Sequence, residues 1–93
     1  MEKTIYTDEY SVVVQLVKEL RTSAGVTQVQ MAEKLGQSQS LFSKYERGEL
    51  RLDVIQLRNV AQNLGLTLVE FAAILEKRLN PEPTRRGKPS SRR

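Results

Sequence analysis

The sequence contains no cysteine and no histidine. The absence of cysteine excludes a disulfide framework and any metal site built from thiolates. The absence of histidine removes the most common metal ligand and the most common general base near neutral pH. A hydrolase or a metalloenzyme is therefore unexpected, and we predict no catalytic residues, no metal site and no cofactor.

Long hydrophobic runs are absent as well. No apolar stretch approaches the roughly 18 residues that a membrane-spanning helix needs. The N-terminal stretch MEKTIYTDEY lacks the apolar block followed by small residues that is typical of a secretory signal. We therefore expect a soluble cytoplasmic protein with no membrane partner.

The positive charge is concentrated at one end of the chain. The 93 residues carry a formal net charge of +4, and residues 80–93 alone hold five basic side chains against one acidic side chain. Residues 1–79 hold ten of each sign, so any basic face there must come from uneven placement. Because residues 80–93 also contain three prolines and no apolar anchor, we predict a disordered basic tail.

Glycines and capping residues divide the rest into helices. The glycines that follow helical stretches, where a left-handed residue closes a helix, are Gly25, Gly36, Gly48 and Gly65. The candidate N-terminal caps are Thr27 and Thr67, each with a capping-box partner three residues on, together with Ser38 and Asp53. Helices are therefore predicted over about 8–24, 27–35, 38–47, 53–64 and 67–79. No stretch alternates as a strand would, so the fold class is all-α.

The predicted organisation is an N-terminal arm at 1–7, one compact helical domain at 8–79 and the basic tail at 80–93. Only Gly36 and Gln37 join the second and third helices. A connection that short forces a sharp turn between the two helices, which is the helix-turn-helix arrangement. Ala32 has the spacing to lie where these helices cross closely, since a larger side chain would hold them apart.

The string VTQVQMAEKLGQSQSLFSKYERGE resembles the Cro/phage-repressor family of helix-turn-helix DNA-binding proteins, also called the xenobiotic response element family. The resemblance runs from about Leu20 to Phe71, roughly 50 of the 93 residues. It implies a five-helix lambda-repressor-like domain, from a bacterium or phage and associated with the nucleoid. One departure is Gln37, where the family usually has an apolar residue.

The resemblance places the base-contacting positions at Gln39, Ser40 and Lys44 of the third helix. Groove-reading residues lie in the first turn of the recognition helix in this class of protein. A glutamine amide can donate to N7 and accept from N6 of adenine, while a lysine suits guanine or a phosphate. The alternative is a solvated polar face, which any surface helix can have.

Phosphate contacts are predicted around this face. The candidates are Gln28, Ser38, Ser43, Arg47 and Arg51, and the resemblance implies backbone contacts at the first and the last two of these. Gln28 opens the second helix, whose N-terminus favours an anion. For Ser38 a plain N-cap is an equally good interpretation. The basic tail is either a solvated end or a segment that tracks phosphates with little sequence choice.

Arg21 and Glu46 are predicted to be structural. The resemblance implies that the arginine of the first helix pairs with the glutamate at the end of the third helix. Such an ion pair would fix the angle of the reading helix, although its net contribution to stability is often small. The alternative is two unrelated surface charges.

The last helix is too apolar for one buried face. Its predicted buried stripe is Leu68, Phe71, Ala72, Leu75 and Leu79. The surplus residues Val69, Ala73 and Ile74 point largely elsewhere, and a surplus apolar patch often marks an association surface. We predict a homodimer interface there, with coverage of the domain's own core as the alternative.

These observations predict a sequence-specific transcriptional regulator, a repressor, that binds double-stranded DNA at a palindromic operator as a homodimer. An enzyme is the weakest reading, because no histidine is present to activate a nucleophile. The main alternative is an antitoxin or adaptor that binds a protein partner as well as DNA.

Overall fold

A computed structural model describes residues 8–80, so the predicted N-terminal arm and nearly all of the predicted basic tail lie outside the described residues. The described part of the chain is all-α, as predicted. Its five helices are α1 (Asp8–Ser23), α2 (Gln28–Leu35), α3 (Gln39–Glu46), α4 (Val54–Asn63) and α5 (Leu68–Leu79). None of them is long and apolar enough to cross a membrane.

The helices begin where the capping residues stand. The Thr27 hydroxyl accepts a hydrogen bond from the N–H of Gln30 at 3.0 Å, and the Gln30 amide oxygen accepts one from the N–H of Thr27 at 2.9 Å. The same reciprocal box opens α4 at Asp53 and α5 at Thr67, while Ser38 caps α3. The caps have extended backbone angles, so α2 to α5 each begin one residue later than predicted.

The turn between α2 and α3 closes on Gly36. Its φ of 70° is left-handed, and a side chain there would meet nothing within 4 Å, so the backbone angle alone favours glycine. The N–H of Gln37 donates to the carbonyl of Ala32 at 2.9 Å, which turns the chain back across the end of α2. Ala32 is buried, in keeping with a close approach of the two helices.

The core lies between all five helices. Its largest fully buried side chains are Phe42, Phe71, Leu16, Met31, Val17 and Val60. Phe42 and Tyr45 anchor the inner side of α3, and the Tyr45 hydroxyl accepts a hydrogen bond of 2.9 Å from the side-chain amide of Gln56 on α4. This anchoring leaves the other side of α3 turned outward.

One polar atom in the turn is buried without compensation. The side-chain oxygen of Gln37 has no hydrogen-bond partner among residues 8–80. An unpaired buried acceptor loses its hydration without replacing it, which costs about 1–3 kcal/mol. Gln37 is the position at which the sequence departs from the family pattern.

Candidate nucleic-acid interface

The outer side of α3 carries the three side chains predicted to contact bases. Gln39, Ser40 and Lys44 are all exposed. Ser38 precedes them as the N-cap, and its hydroxyl accepts a hydrogen bond of 3.1 Å from the N–H of Leu41. Leu41 is half-buried against the core, so it separates the exposed face from the packed face.

Behind this face lies a buried ion pair. The Nε of Arg21 donates to Oε2 of Glu46 at 2.6 Å, and Nη2 donates to Oε1 at 2.9 Å. Only 6% of Arg21 and 8% of Glu46 is exposed, and Nη1 of Arg21 also donates to the carbonyl of Val26 at 2.7 Å. This fork joins α1, the start of the α2 segment and the end of α3, so it sets the tilt of α3.

The ion pair extends to the surface through two glutamines. The side-chain nitrogen of Gln28 donates to Oε1 of Glu46 at 2.9 Å, and the nitrogen of Gln39 donates to the side-chain oxygen of Gln28 at 2.7 Å. The order Arg21, Glu46, Gln28, Gln39 therefore forms a chain of hydrogen bonds, which we call the glutamine relay. The sequence placed Gln28 among the phosphate contacts but did not indicate its bond to Gln39.

The relay determines how the Gln39 amide faces. The carboxylate of Glu46 only accepts, so Gln28 must turn its nitrogen toward Glu46 and its oxygen toward Gln39. Gln39 must then turn its nitrogen toward Gln28. Among residues 8–80, its second N–H and its oxygen remain unused, which leaves one donor and one acceptor side by side on an exposed amide.

A second arginine–glutamate pair lies beyond the C-terminal end of α3. Arg47 donates to Glu49 through Nε at 2.8 Å and through Nη2 at 3.2 Å, and its Nη1 donates to the hydroxyl of Ser43. Both charged side chains are about half exposed. The hydrogen bond from Arg47 lowers the pKa of Glu49, and the same bond raises the pKa of Arg47. Arg47 must leave this carboxylate to bind a phosphate.

Arg51 has a different support. Its guanidinium carbon lies 4.6 Å from the centroid of the Tyr10 ring, within the range of a cation–π contact. The Tyr10 hydroxyl accepts from the N–H of Leu52 at 2.9 Å and donates to the carbonyl of Leu50 at 3.2 Å. Sequence reasoning missed Tyr10. Its place seven residues before buried Val17 on α1 indicated burial, but nothing indicated a partner some 40 residues away.

The three residues predicted for a dimer interface differ in their surroundings. Val69 is 77% exposed and Ala73 is also exposed, whereas Ile74 packs partly against the core of its own domain. Of the predicted buried stripe, Ala72 and Leu79 are instead exposed. A surface ion pair of 2.8 Å between Arg78 and Glu19 links this end of α5 to α1.

The comparisons with known proteins agree with this architecture. A helix-turn-helix family model matches residues 17–71, more than half of the chain. An XRE-family like protein from Pseudomonas syringae pv. tomato is 36% identical, with a TM-score of 0.70 over 75% of this chain and 85% of that one. This chain belongs to the Cro/phage-repressor, or XRE, family of helix-turn-helix DNA-binding regulators.

Two further results complete the comparison. The crystal structure of the clp gene regulator ClgR from Corynebacterium glutamicum shares the fold of this XRE-family chain, with 20% identity, a TM-score of 0.69 and 78% of each chain covered. No curated protein gave a match. Within residues 8–80, no group of three or more acidic side chains is placed to hold a metal ion.

Proposed function

We propose that this chain is a sequence-specific transcriptional repressor that inserts α3 into the major groove of double-stranded DNA. The observation that carries the proposal is the oriented amide of Gln39, which presents one free N–H and one free oxygen at the exposed start of α3. Adenine offers the complementary pair in the major groove, an acceptor at N7 and a donor at N6. Because the relay holds this orientation before binding, little ordering is needed on contact.

The other side chains of α3 extend the contact. Ser40 follows Gln39, and its hydroxyl can donate or accept toward a base edge. Lys44 lies one helical turn after Ser40 and is exposed, so its ammonium can reach a guanine or a phosphate. Together with Gln39 they form the reading face of the domain.

Phosphate contacts would place this face in the groove. Gln28 has one side-chain N–H that no described residue uses, beside the N-terminus of α2, where backbone N–H groups favour an anion. Arg51 has no carboxylate within 4.0 Å among residues 8–80, so its charge is available. Ser43 and Arg47 add donors once Arg47 leaves Glu49.

A two-fold homodimer would let two copies of α3 read a palindrome with half-sites about 34–36 Å apart. Val69 and Ala73 of α5 offer exposed apolar surface for this contact. Repression would follow from occupation of the operator, without chemistry.

Selection of bound sequences from a random pool of DNA duplexes tests the proposal directly. We expect an enriched palindrome whose half-sites contain an adenine opposite Gln39. The Gln39→Ala variant should then lose enrichment at that adenine only. Recovery of a random pool from the unmodified protein would overturn sequence-specific binding, and an enriched site without two-fold symmetry would overturn the dimer.

A further inference from the structure

We propose that Tyr10, on α1, is a positioning residue for DNA binding that holds Arg51 ready to meet a phosphate. The inference rests on the proposed function and adds a residue that lies before the matched stretch 17–71. Tyr10 and Arg51 also lie outside α2 and α3, the helix-turn-helix itself. The support for the arginine therefore comes from a different part of the chain than the reading face.

The Tyr10 hydroxyl secures the backbone on both sides of residue 51. It accepts from the N–H of Leu52 at 2.9 Å and donates to the carbonyl of Leu50 at 3.2 Å. Tyr10 is 7% exposed, and Leu52 is buried as well. Hydrogen bonds shielded from water in this way hold the segment after α3 in one conformation.

The Tyr10 ring secures the side chain. The guanidinium carbon of Arg51 lies 4.6 Å from the ring centroid. A guanidinium that uses its face for stacking keeps its N–H donors at the edge, where a phosphate can accept them. Arg51 is exposed and has no ion pair among residues 8–80, in contrast to Arg47, which is bound to Glu49. Of these two cations, Arg51 is the one prepared for an anion.

The energetic consequence is a smaller ordering cost on binding. A free arginine side chain loses rotamer freedom when it contacts a phosphate, and prior ordering removes part of that loss. Tyr10 contributes to DNA affinity through Arg51, without touching DNA. Removing the ring should therefore weaken binding only while Arg51 is present.

A double-mutant cycle separates this role from a purely structural one. Tyr10→Leu, Arg51→Ala and the double variant are compared for affinity to one selected duplex by fluorescence anisotropy. We expect Tyr10→Leu to weaken binding roughly two- to fivefold in the protein with Arg51, and to have almost no effect in the Arg51→Ala background. Equal weakening in both backgrounds would overturn the inference, because a structural defect does not depend on Arg51.

Salt dependence gives a second measurement that does not require a Tyr10 variant to fold. Arg51→Ala should lower the slope of log affinity against log salt by about 0.9, the loss of one phosphate contact. Arg78→Ala is the matched control, since Arg78 is an exposed arginine held by Glu19 between α5 and α1. An unchanged slope for Arg51→Ala would overturn the inference. Failure of the unmodified protein to bind any duplex would instead refute the proposed function.

Tyr10→Phe tests the hydroxyl separately. It keeps the ring beneath Arg51 and removes the hydrogen bonds to Leu50 and Leu52. We expect partial weakening of binding, smaller than that of Tyr10→Leu, and again only with Arg51 present. Circular dichroism and thermal melting establish that each variant is folded. A Tyr10→Phe effect that survives in the Arg51→Ala background would count against positioning.

Discussion

Two arginine–glutamate pairs flank the end of α3, and they have nearly the same geometry. Arg21 and Glu46 are joined by two hydrogen bonds of 2.6 and 2.9 Å, and Arg47 and Glu49 by two of 2.8 and 3.2 Å. The side chains of the first pair are 8% and 2% exposed, whereas those of the second are both 52% exposed. The difference in burial gives the two pairs different functions.

The buried pair cannot exchange partners. Separating it would leave a charge in the interior without water or a counterion, so Glu46 stays in place and orients Gln28 and then Gln39. The surface pair is screened by solvent and contributes little to stability. Arg47 can therefore leave Glu49 when a phosphate approaches. One pair maintains the reading face, and the other keeps a charge in reserve at its edge.

The largest expected effect is on stability. Glu46→Ala leaves Arg21 buried without its partner, and we expect the free energy of unfolding to fall by about 3–5 kcal/mol. Urea unfolding followed by circular dichroism measures this value. Glu49→Ala is the matched control at the surface pair, and its unfolding curve should coincide with that of the unmodified protein.

The double variant Arg21→Met/Glu46→Leu breaks the comparison in another way. It replaces both charges with apolar groups of similar length, so no unpaired charge remains, and stability should recover most of what Glu46→Ala loses. Its DNA discrimination should stay low, because Gln28 then has no carboxylate to orient it. If the double variant discriminates as well as the unmodified protein, the buried pair does not control the reading face.

The next effect concerns base reading. Gln39→Ala should cost about 1–3 kcal/mol on the selected operator and change binding to random DNA little. Gln28→Ala should show the same selectivity in part, since it removes the group that orients Gln39. Anisotropy titrations on both duplexes measure the two losses. Equal loss on operator and random DNA would assign Gln39 to the phosphate backbone.

Gln37 supplies a third kind of buried polar group, one without a partner among the described residues. Gln37→Met keeps the length of the side chain and removes the unpaired oxygen. We expect the protein to become more stable by roughly 1 kcal/mol, measured as a higher urea midpoint at unchanged slope. Gln56→Met is the contrasting variant, because the Gln56 amide is bonded to Asp53 and Tyr45 and its loss should destabilise. A less stable Gln37→Met protein would contradict the assignment.

Local features of the fold were predictable because they depend on a few adjacent residues. Capping boxes at Thr27 and Thr67 and the left-handed Gly36 follow from spacing and backbone sterics alone. The short turn then required α2 and α3 to form a helix-turn-helix. Helix starts differed by one residue, because the cap itself is not helical.

The candidate site was predictable in composition but not in connection. Exposure of Gln39 and Lys44 could be expected from the packed positions of Phe42 and Tyr45 on the same helix. The relay through Gln28 depends on contacts across 11 and 18 residues, and Tyr10 reaches 40 residues along the chain. Spacing along one helix does not indicate which distant side chains meet.

The smallest expected effect concerns the surface pair itself. Glu49→Gln removes the carboxylate that holds Arg47 and should strengthen DNA binding about two- to fivefold, since Arg47 no longer has to leave a partner. The hydrogen bond from Arg47 lowers the pKa of Glu49 below its ordinary range, so Glu49 stays ionised throughout pH 5–8, and the gain should be constant there. As the pH falls toward that lowered pKa, the unmodified protein should approach the variant. Glu19→Gln is the matched control, because Glu19 is also exposed and its pKa is also lowered by an arginine, Arg78. If both variants strengthen binding equally, the gain comes from net charge and not from the release of Arg47.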